Sequence, residues 1–141
     1  MKFFYEPIDP YDYALDRSVK MGKTIDSFLA MKGRTEVGDI MVFWVSGVGF
    51  VGFAEVVSDL YLQQNPDDRN FDEIVADMKF LGLDFRNPIP VSALSQEEHS
   101  RFFSGKQAKR PIDFEPSEIV MKKYREIRKN YDETGEILLI E

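Results

Sequence analysis

The sequence contains no cysteine and one histidine, His99. The first absence excludes disulfides and thiolate chemistry, and the second excludes a metal site built from histidines. No apolar run is long enough to span a bilayer, and the N-terminal MKFFYEPIDP lacks a signal-peptide core. Both point to a cytoplasmic protein with no membrane partner. Positive charge is scarce: 18 Lys and Arg stand against 25 Asp and Glu, a formal net charge of −7. That balance excludes a generic nucleic-acid coat, whose affinity comes from neutralising phosphates. No catalytic signature is present. Gly47-Val48-Gly49-Phe50-Val51-Gly52 matches G-x-G-x-x-G literally, but it sits between two strand-like runs instead of a strand and a helix. The phosphate-loop reading therefore fails on context, and no cofactor is implied.

What the chain does have is an apolar fraction of 43%, with 13% aromatic residues, over 141 residues. This suits one domain, residues 1–141, with a core of its own. Charge is unevenly placed. Residues 17–34 carry five bases against one acid, residues 99–130 carry nine against four, and the rest carry four against 20. If the two basic segments meet in space, they form a positive patch on an acidic body. If they do not, they are the solvated faces of amphipathic helices.

The clearest local pattern lies between Val37 and Asp59. Ile40–Val45 and Phe50–Val57 are rich in β-branched and aromatic residues, which suit a pleated surface. Ser46-Gly47-Val48-Gly49 separates them and supplies positive-φ positions for a tight reversal. The spacing predicts a β-hairpin. Ile40, Val42 and Trp44 fall on one face and Met41, Phe43 and Val45 on the other, so both faces need covering. Gly52 inside the second strand marks a bulge or a close approach. Glu55, the one charge within the two runs, is either an edge-facing charge or a buried carboxylate in need of donors.

Before the hairpin, Lys2–Tyr5 reads as a strand broken by Pro7 and Pro10. Asp12–Lys20 and Thr24–Lys32 read as helices, the second with Thr24 as N-cap and Ile25, Phe28 and Leu29 as its stripe. After the hairpin, Gln63–Asn70 reads as an exposed polar loop. Asp67, Asp68, Asp72 and Glu73 could attract a hard cation, although a solvated acidic loop is the simpler reading. Residues 71–85 fit a helical stripe (Ile74, Val75, Met78, Leu81) and also a strand alternation (Ala76, Met78, Phe80). In the strand version Gly82 shifts the register onto Leu81, Leu83 and Phe85, as a bulge would. Ser95–Glu98 reads as a helix start and Pro111–Phe114 as a strand. Pro116–Asn130 reads as a helix with Val120, Tyr124, Ile127 and Tyr131 on one face. Glu136–Ile140 reads as a short tail strand, able to join a sheet edge or a partner.

Gly38-Asp39, Phe43-Trp44, Val51-Gly52-Phe53-Ala54-Glu55-Val56-Val57-Ser58 and Tyr61 together resemble the core of EVE domains, within the PUA-like group. The resemblance follows the order of elements from Lys2 to Ile127. It is close only at Gly38–Tyr61 and weaker at Arg86–Ser92 and Arg101–Gly105. It implies a mixed α/β (α+β) fold, a partly closed, mostly antiparallel β-barrel of five or six strands with flanking helices. It also favours a strand from about Val75. Tyr5-Glu6-Pro7 stands where EVE domains often carry Ser-Glu-Pro, so the chain departs from the pattern there.

The resemblance further implies a cleft between barrel and first connection, where PUA-like domains hold a base, often a modified one. The residues that match or border it are Tyr5, Glu6, Lys20, Lys23, Thr24, Trp44, Arg101, Phe102, Phe103 and Lys106. Reading a base needs an aromatic platform, fixed polar groups for its edge and nearby bases for phosphate. Each residue also has a plainer reading: Trp44, Phe102 and Phe103 as core, Tyr5 and Glu6 as a turn, Arg101 and Lys106 as solvated surface. On the site reading, the chain is a non-catalytic module that binds nucleic acid or a modified nucleoside, one nucleotide at a time. Two alternatives remain open. One is a small hydrolase acting on a nucleoside-like amide, with Glu6 or Glu55 as its carboxylate and Lys23 as partner. The other is a protein-interaction or small-ligand module, self-associating through Glu136–Ile140.

Overall fold

The structure is a computed structural model and describes residues 1–8, 25–29, 36–45, 48–63, 73–96 and 112–140. Among the described residues eight strands join one sheet: β1 (Phe3–Ile8), β2 (Ile25–Leu29), β3 (Ile40–Val45), β4 (Gly49–Val56), β5 (Tyr61–Gln63), β6 (Glu73–Asp84), β7 (Ile112–Phe114) and β8 (Leu138–Ile140). Among the described residues one long α-helix, α1, spans Glu118–Thr134. The strand order is β2-β6-β4-β3-β1-β7, with β5 and β8 also paired to β6. Pairing is mostly antiparallel, but β1 runs parallel to β3 and β6 parallel to β8. The fold is α+β, as expected. It holds more strands than the five or six expected, and the path does not close: β2 and β7 end it unjoined to each other among the described residues.

The hairpin β3–β4 sits in the middle of the sheet, flanked by β1 and β6. Its turn needs glycine for two reasons. Gly49 has φ +127°, and a Cβ there would fall 2.1 Å from the carbonyl oxygen of Ile89. Both expectations for Gly52 hold. The β3–β4 register shifts between Phe43 and Trp44, leaving Val51 as the extra residue of a bulge. A Cβ on Gly52 would also lie 2.4 Å from the carbonyl oxygen of Gly82, so β4 and β6 approach closely there.

Alternation along β3 divides the core in two, as its sequence predicts. Ile40, Val42 and Trp44 join Phe3, Phe50, Phe53, Leu81 and Ile89 in a cluster closed by Val120, Tyr124 and Ile127 of α1. Met41, Phe43 and Val45 join Phe4, Val51, Ala54, Val56, Met78, Phe80 and Leu83 on the other face. Tyr124 stands edge-on to Phe3 and Phe53, at 5.2 and 5.5 Å between ring centres. The α1 stripe read from sequence is therefore the docking face. The helix ends at Gly135, with φ +70° and its N–H donated to the Tyr131 carbonyl.

Several expectations need correction. β1 runs through Pro7 to Ile8. Ile40 donates to the carbonyl of Lys2, so even positions of β1 turn their main-chain groups to β3 and odd positions turn theirs to β7. β7 reaches only as far as Tyr5, so the missing N–H of Pro7 faces no strand among the described residues. Ile25–Leu29 is strand β2, paired with β6, not the start of a helix. A stripe of three residues within five fits either state, and the long edge of β6 decides it. Tyr61–Gln63 forms β5, so the polar loop starts later than read.

Residues 73–84 are a strand. The β4–β6 register leaves Leu81 as the extra residue, so a bulge lies beside Gly82 as expected. However, Leu81 enters the α1 cluster, while Leu83 and Phe85 stay with Phe80. β6 is long because it has two strands on each edge: β5 then β4 on one, β2 then β8 on the other. The tail strand β8 is thus committed within the chain. The helix read at Asp12–Lys20, the loop after Gln63, and His99 lie outside the described residues.

Candidate functional site

The residues that carry the family resemblance are mostly tied into the fold. Asp39 is 3% exposed, and its carboxylate accepts the N–H groups of Lys2 (2.9 Å) and Glu36 (2.8 Å). Gly38, at φ +94°, donates to the carbonyl of Val56. The Gly-Asp pair therefore fastens the starts of β1 and β3 to the end of β4. The Ser58 hydroxyl accepts the Asp77 N–H (2.8 Å), and the Tyr61 hydroxyl donates to the Asp77 carboxylate (2.6 Å). Together they fold β5 back onto β6.

Glu55 is a half-buried carboxylate with donors, which settles the two readings of it. It accepts from Arg128 Nη1 at 3.0 Å and faces Lys79 Nζ at 3.6 Å. Lys79 also lies 4.6 Å over the Tyr131 ring, and Arg128 reaches Asp132 at 3.2 Å. These contacts fix the C-terminal half of α1 against β4 and β6. Burial pushes the Tyr124 phenol above its ordinary value.

A second lock holds the N-terminal half. Asp84 is 2% exposed. One oxygen accepts the N–H groups of Arg86 and Asn87 at 3.0 Å each, and the other accepts from Lys123 Nζ at 2.5 Å. Burial alone would raise this carboxyl, but the hydrogen bond and charge of Lys123 and the two main-chain donors outweigh it and hold it below its ordinary value. Nothing in the sequence pattern marked Asp84. Its distant partner Lys123 is 39 residues away, so no local spacing could show the pair.

The basic run of α1 is therefore not an open positive face. Lys123 pairs with Asp84, Arg125 with Glu118, Arg128 with Glu55 and Lys129 with Glu133. Lys122 is the α1 base without a carboxylate partner among the described residues. Whether the two basic segments meet rests on residues 17–24, 30–35 and 97–111, outside the described ones.

Of the candidate ligand residues, β1 and β3 bring three near one another. Tyr5 sits opposite Val42, Glu6 opposite Phe43 and Pro7 opposite Trp44. Trp44 is half-buried and packs against the α1-side cluster. It is neither an enclosed core residue nor a fully open platform. It also pairs with Phe50, which in turn exchanges two main-chain hydrogen bonds of 2.9 Å with Ile89. Lys20, Lys23, Thr24, Arg101, Phe102, Phe103 and Lys106 lie outside the described residues.

No family model matches the chain, and no curated protein matches it. Solved structures do. The chain is similar to the Mmi1 YTH domain, at 17% identity and TM-score 0.58 over 92% of this chain and 99% of that one. A YTH domain-containing protein mmi1 solved with RNA gives 17% identity and TM-score 0.57 over 93% and 86%. Protein Atu2648 from Agrobacterium tumefaciens gives 16% identity and TM-score 0.56 over 92% of each chain. At these identities what is shared is the fold.

Proposed function

We propose that the chain is a nucleic-acid-binding module of the PUA-like EVE kind that takes one base, in modified form, into a slot beside β1 and β3. The observation that carries this reading is the likeness, over nearly the whole chain, to a YTH domain solved with RNA. The ladder supports it for Tyr5, which stands on the strand beside Trp44 at a position of the same parity, whereas Glu6 stands opposite Phe43 at the alternate one. On this reading Trp44 supplies one aromatic wall, and the resemblance assigns Lys20, Lys23, Thr24, Arg101, Phe102 and Lys106 to the same slot. A stacked base contributes roughly 1–3 kcal/mol, enough for selective capture of a single nucleotide when edge contacts add to it.

The other readings have lost support. Glu55 is engaged by Arg128 and Lys79 on the α1 face, which leaves the hydrolase reading with Glu6 alone. The tail strand is paired to β6 of its own chain along one edge, which leaves the interaction reading only the other edge of a three-residue strand.

The test is tryptophan fluorescence during titration with plain and modified nucleosides and short single strands. The chain holds one tryptophan, so any change reports on Trp44. Quenching by one modified base, lost in a folded Trp44→Ala variant when binding is read by another method, supports the slot. No response to any ligand, with no binding by that second method, overturns it.

A further inference from the structure

Resting on the nucleic-acid reading above, we infer that Arg86 is a phosphate-contacting residue of this module, displayed by a turn whose main-chain donors are all engaged. The turn follows β6. Phe85 donates its N–H to the carbonyl of Ile140 in β8 at 2.9 Å. Arg86 and Asn87 donate theirs to the Asp84 carboxylate. Pro88 has none to give, and Ile89 donates to Phe50 at 2.9 Å. Every main-chain donor from Phe85 to Ile89 is thus used, on three different elements. Lys123 of α1 neutralises the carboxylate at the centre.

Moving such a turn breaks several hydrogen bonds at once, which holds its main chain in place. The Arg86 side chain is the exception to this commitment. It is exposed and has no carboxylate partner among the described residues, whereas Arg125 and Arg128 are both paired. Its planar fork suits a phosphate bidentately.

Its place fits the slot. Ile89 pairs with Phe50 and Phe50 with Trp44, so the end of the turn lies two strand spacings from Trp44, roughly 10 Å. A strand whose base lies against Trp44 can bring a neighbouring phosphate to Arg86.

The test measures binding of fluorescently labelled short single strands of RNA and DNA, plain and base-methylated, between roughly 50 and 200 mM salt. Wild type, Arg86→Ala, Arg86→Lys and Lys122→Ala are compared, with urea midpoints confirming that each is folded. Arg86→Ala should weaken binding about five-fold and shrink the slope of log affinity against log salt by about 0.7, the contribution of one single-strand phosphate. Arg86→Lys should restore most of the slope, and Lys122→Ala should leave it unchanged. If wild type binds and Arg86→Ala matches it, or Lys122→Ala loses as much, the role of Arg86 is overturned while the nucleic-acid reading stands. If wild type binds none of the strands, that reading falls and the role of Arg86 falls with it.

Discussion

Asp84 and Asp39 are both carboxylates that the fold has buried, and both are made tolerable by donors that the sequence does not announce. Asp39 relies on two main-chain N–H groups, and Asp84 on two more plus the Lys123 ammonium. The Asp84 carboxyl is held below its ordinary value, so it contributes stability that is present above about pH 4 and lost as pH falls through its folded value. Lys123→Met leaves a buried charge with only its main-chain donors, and should cost about 3 kcal/mol at neutral pH. The gap to wild type should narrow below about pH 4, because protonating Asp84 removes the uncompensated charge. Urea midpoints measured from neutral to acid pH check both parts. A gap that stays constant across that range would show that the pair does not set the cost.

The hairpin glycines make a second prediction at this scale. Gly49→Ala combines a positive φ with a collision against the Ile89 carbonyl, and should destabilise by about 3 kcal/mol or more. Gly135→Ala has the positive φ but open space, and should cost about 1 kcal/mol. Thermal unfolding of the two variants side by side tests whether the close approach, and not φ alone, demands glycine at the turn.

Among elements, legibility followed length and neighbourhood. The α1 stripe of Val120, Tyr124 and Ile127 repeats over enough turns to be unmistakable, and those residues are buried. The short stripe of Ile25, Phe28 and Leu29 could not separate helix from strand, and a partner edge 50 residues away made it β2. Pro7 looked like a strand end because its missing N–H was judged without knowing which edge it would face. β8 was legible as a strand but not as a partner of β6. Its removal should matter. A chain ending at Gly135 leaves the Gly82–Asp84 edge open and strips the Phe85 N–H of the Ile140 carbonyl. The expected result is a lower melting temperature and faster amide exchange at Phe85. Unchanged exchange there would mean that β8 adds nothing to the β6 edge.

For the whole molecule, charge was the least transferable reading. The nine bases of residues 99–130 were to form a positive patch if they met those of residues 17–34, yet four of the five on α1 are matched by carboxylates of the sheet or of the helix itself. With the α1 bases matched in this way and a net charge of −7, the single-nucleotide reading expects few phosphate contacts. The salt slope for a short single strand should therefore correspond to about one to three phosphates, and should not grow as the strand is lengthened. A steep slope that rises with length would indicate a long footprint and overturn the single-nucleotide view.

The sequence by itself determined the central hairpin, the division of its residues between two faces and the docking stripe of α1, and it marked glycines in the turn and at 52 whose close neighbours only the structure supplied. The first three are local, because alternation and helical periodicity are properties of a few consecutive residues. Only the tertiary structure decided that the described strands stay an open sheet, that Ile25–Leu29 is extended, that β8 is held in the chain, and that Glu55, Asp84, Arg128 and Lys123 fasten the helix. Those outcomes depend on which distant groups meet. A hydrogen bond or ion pair across 39 or 73 residues leaves no periodic trace in the chain that makes it.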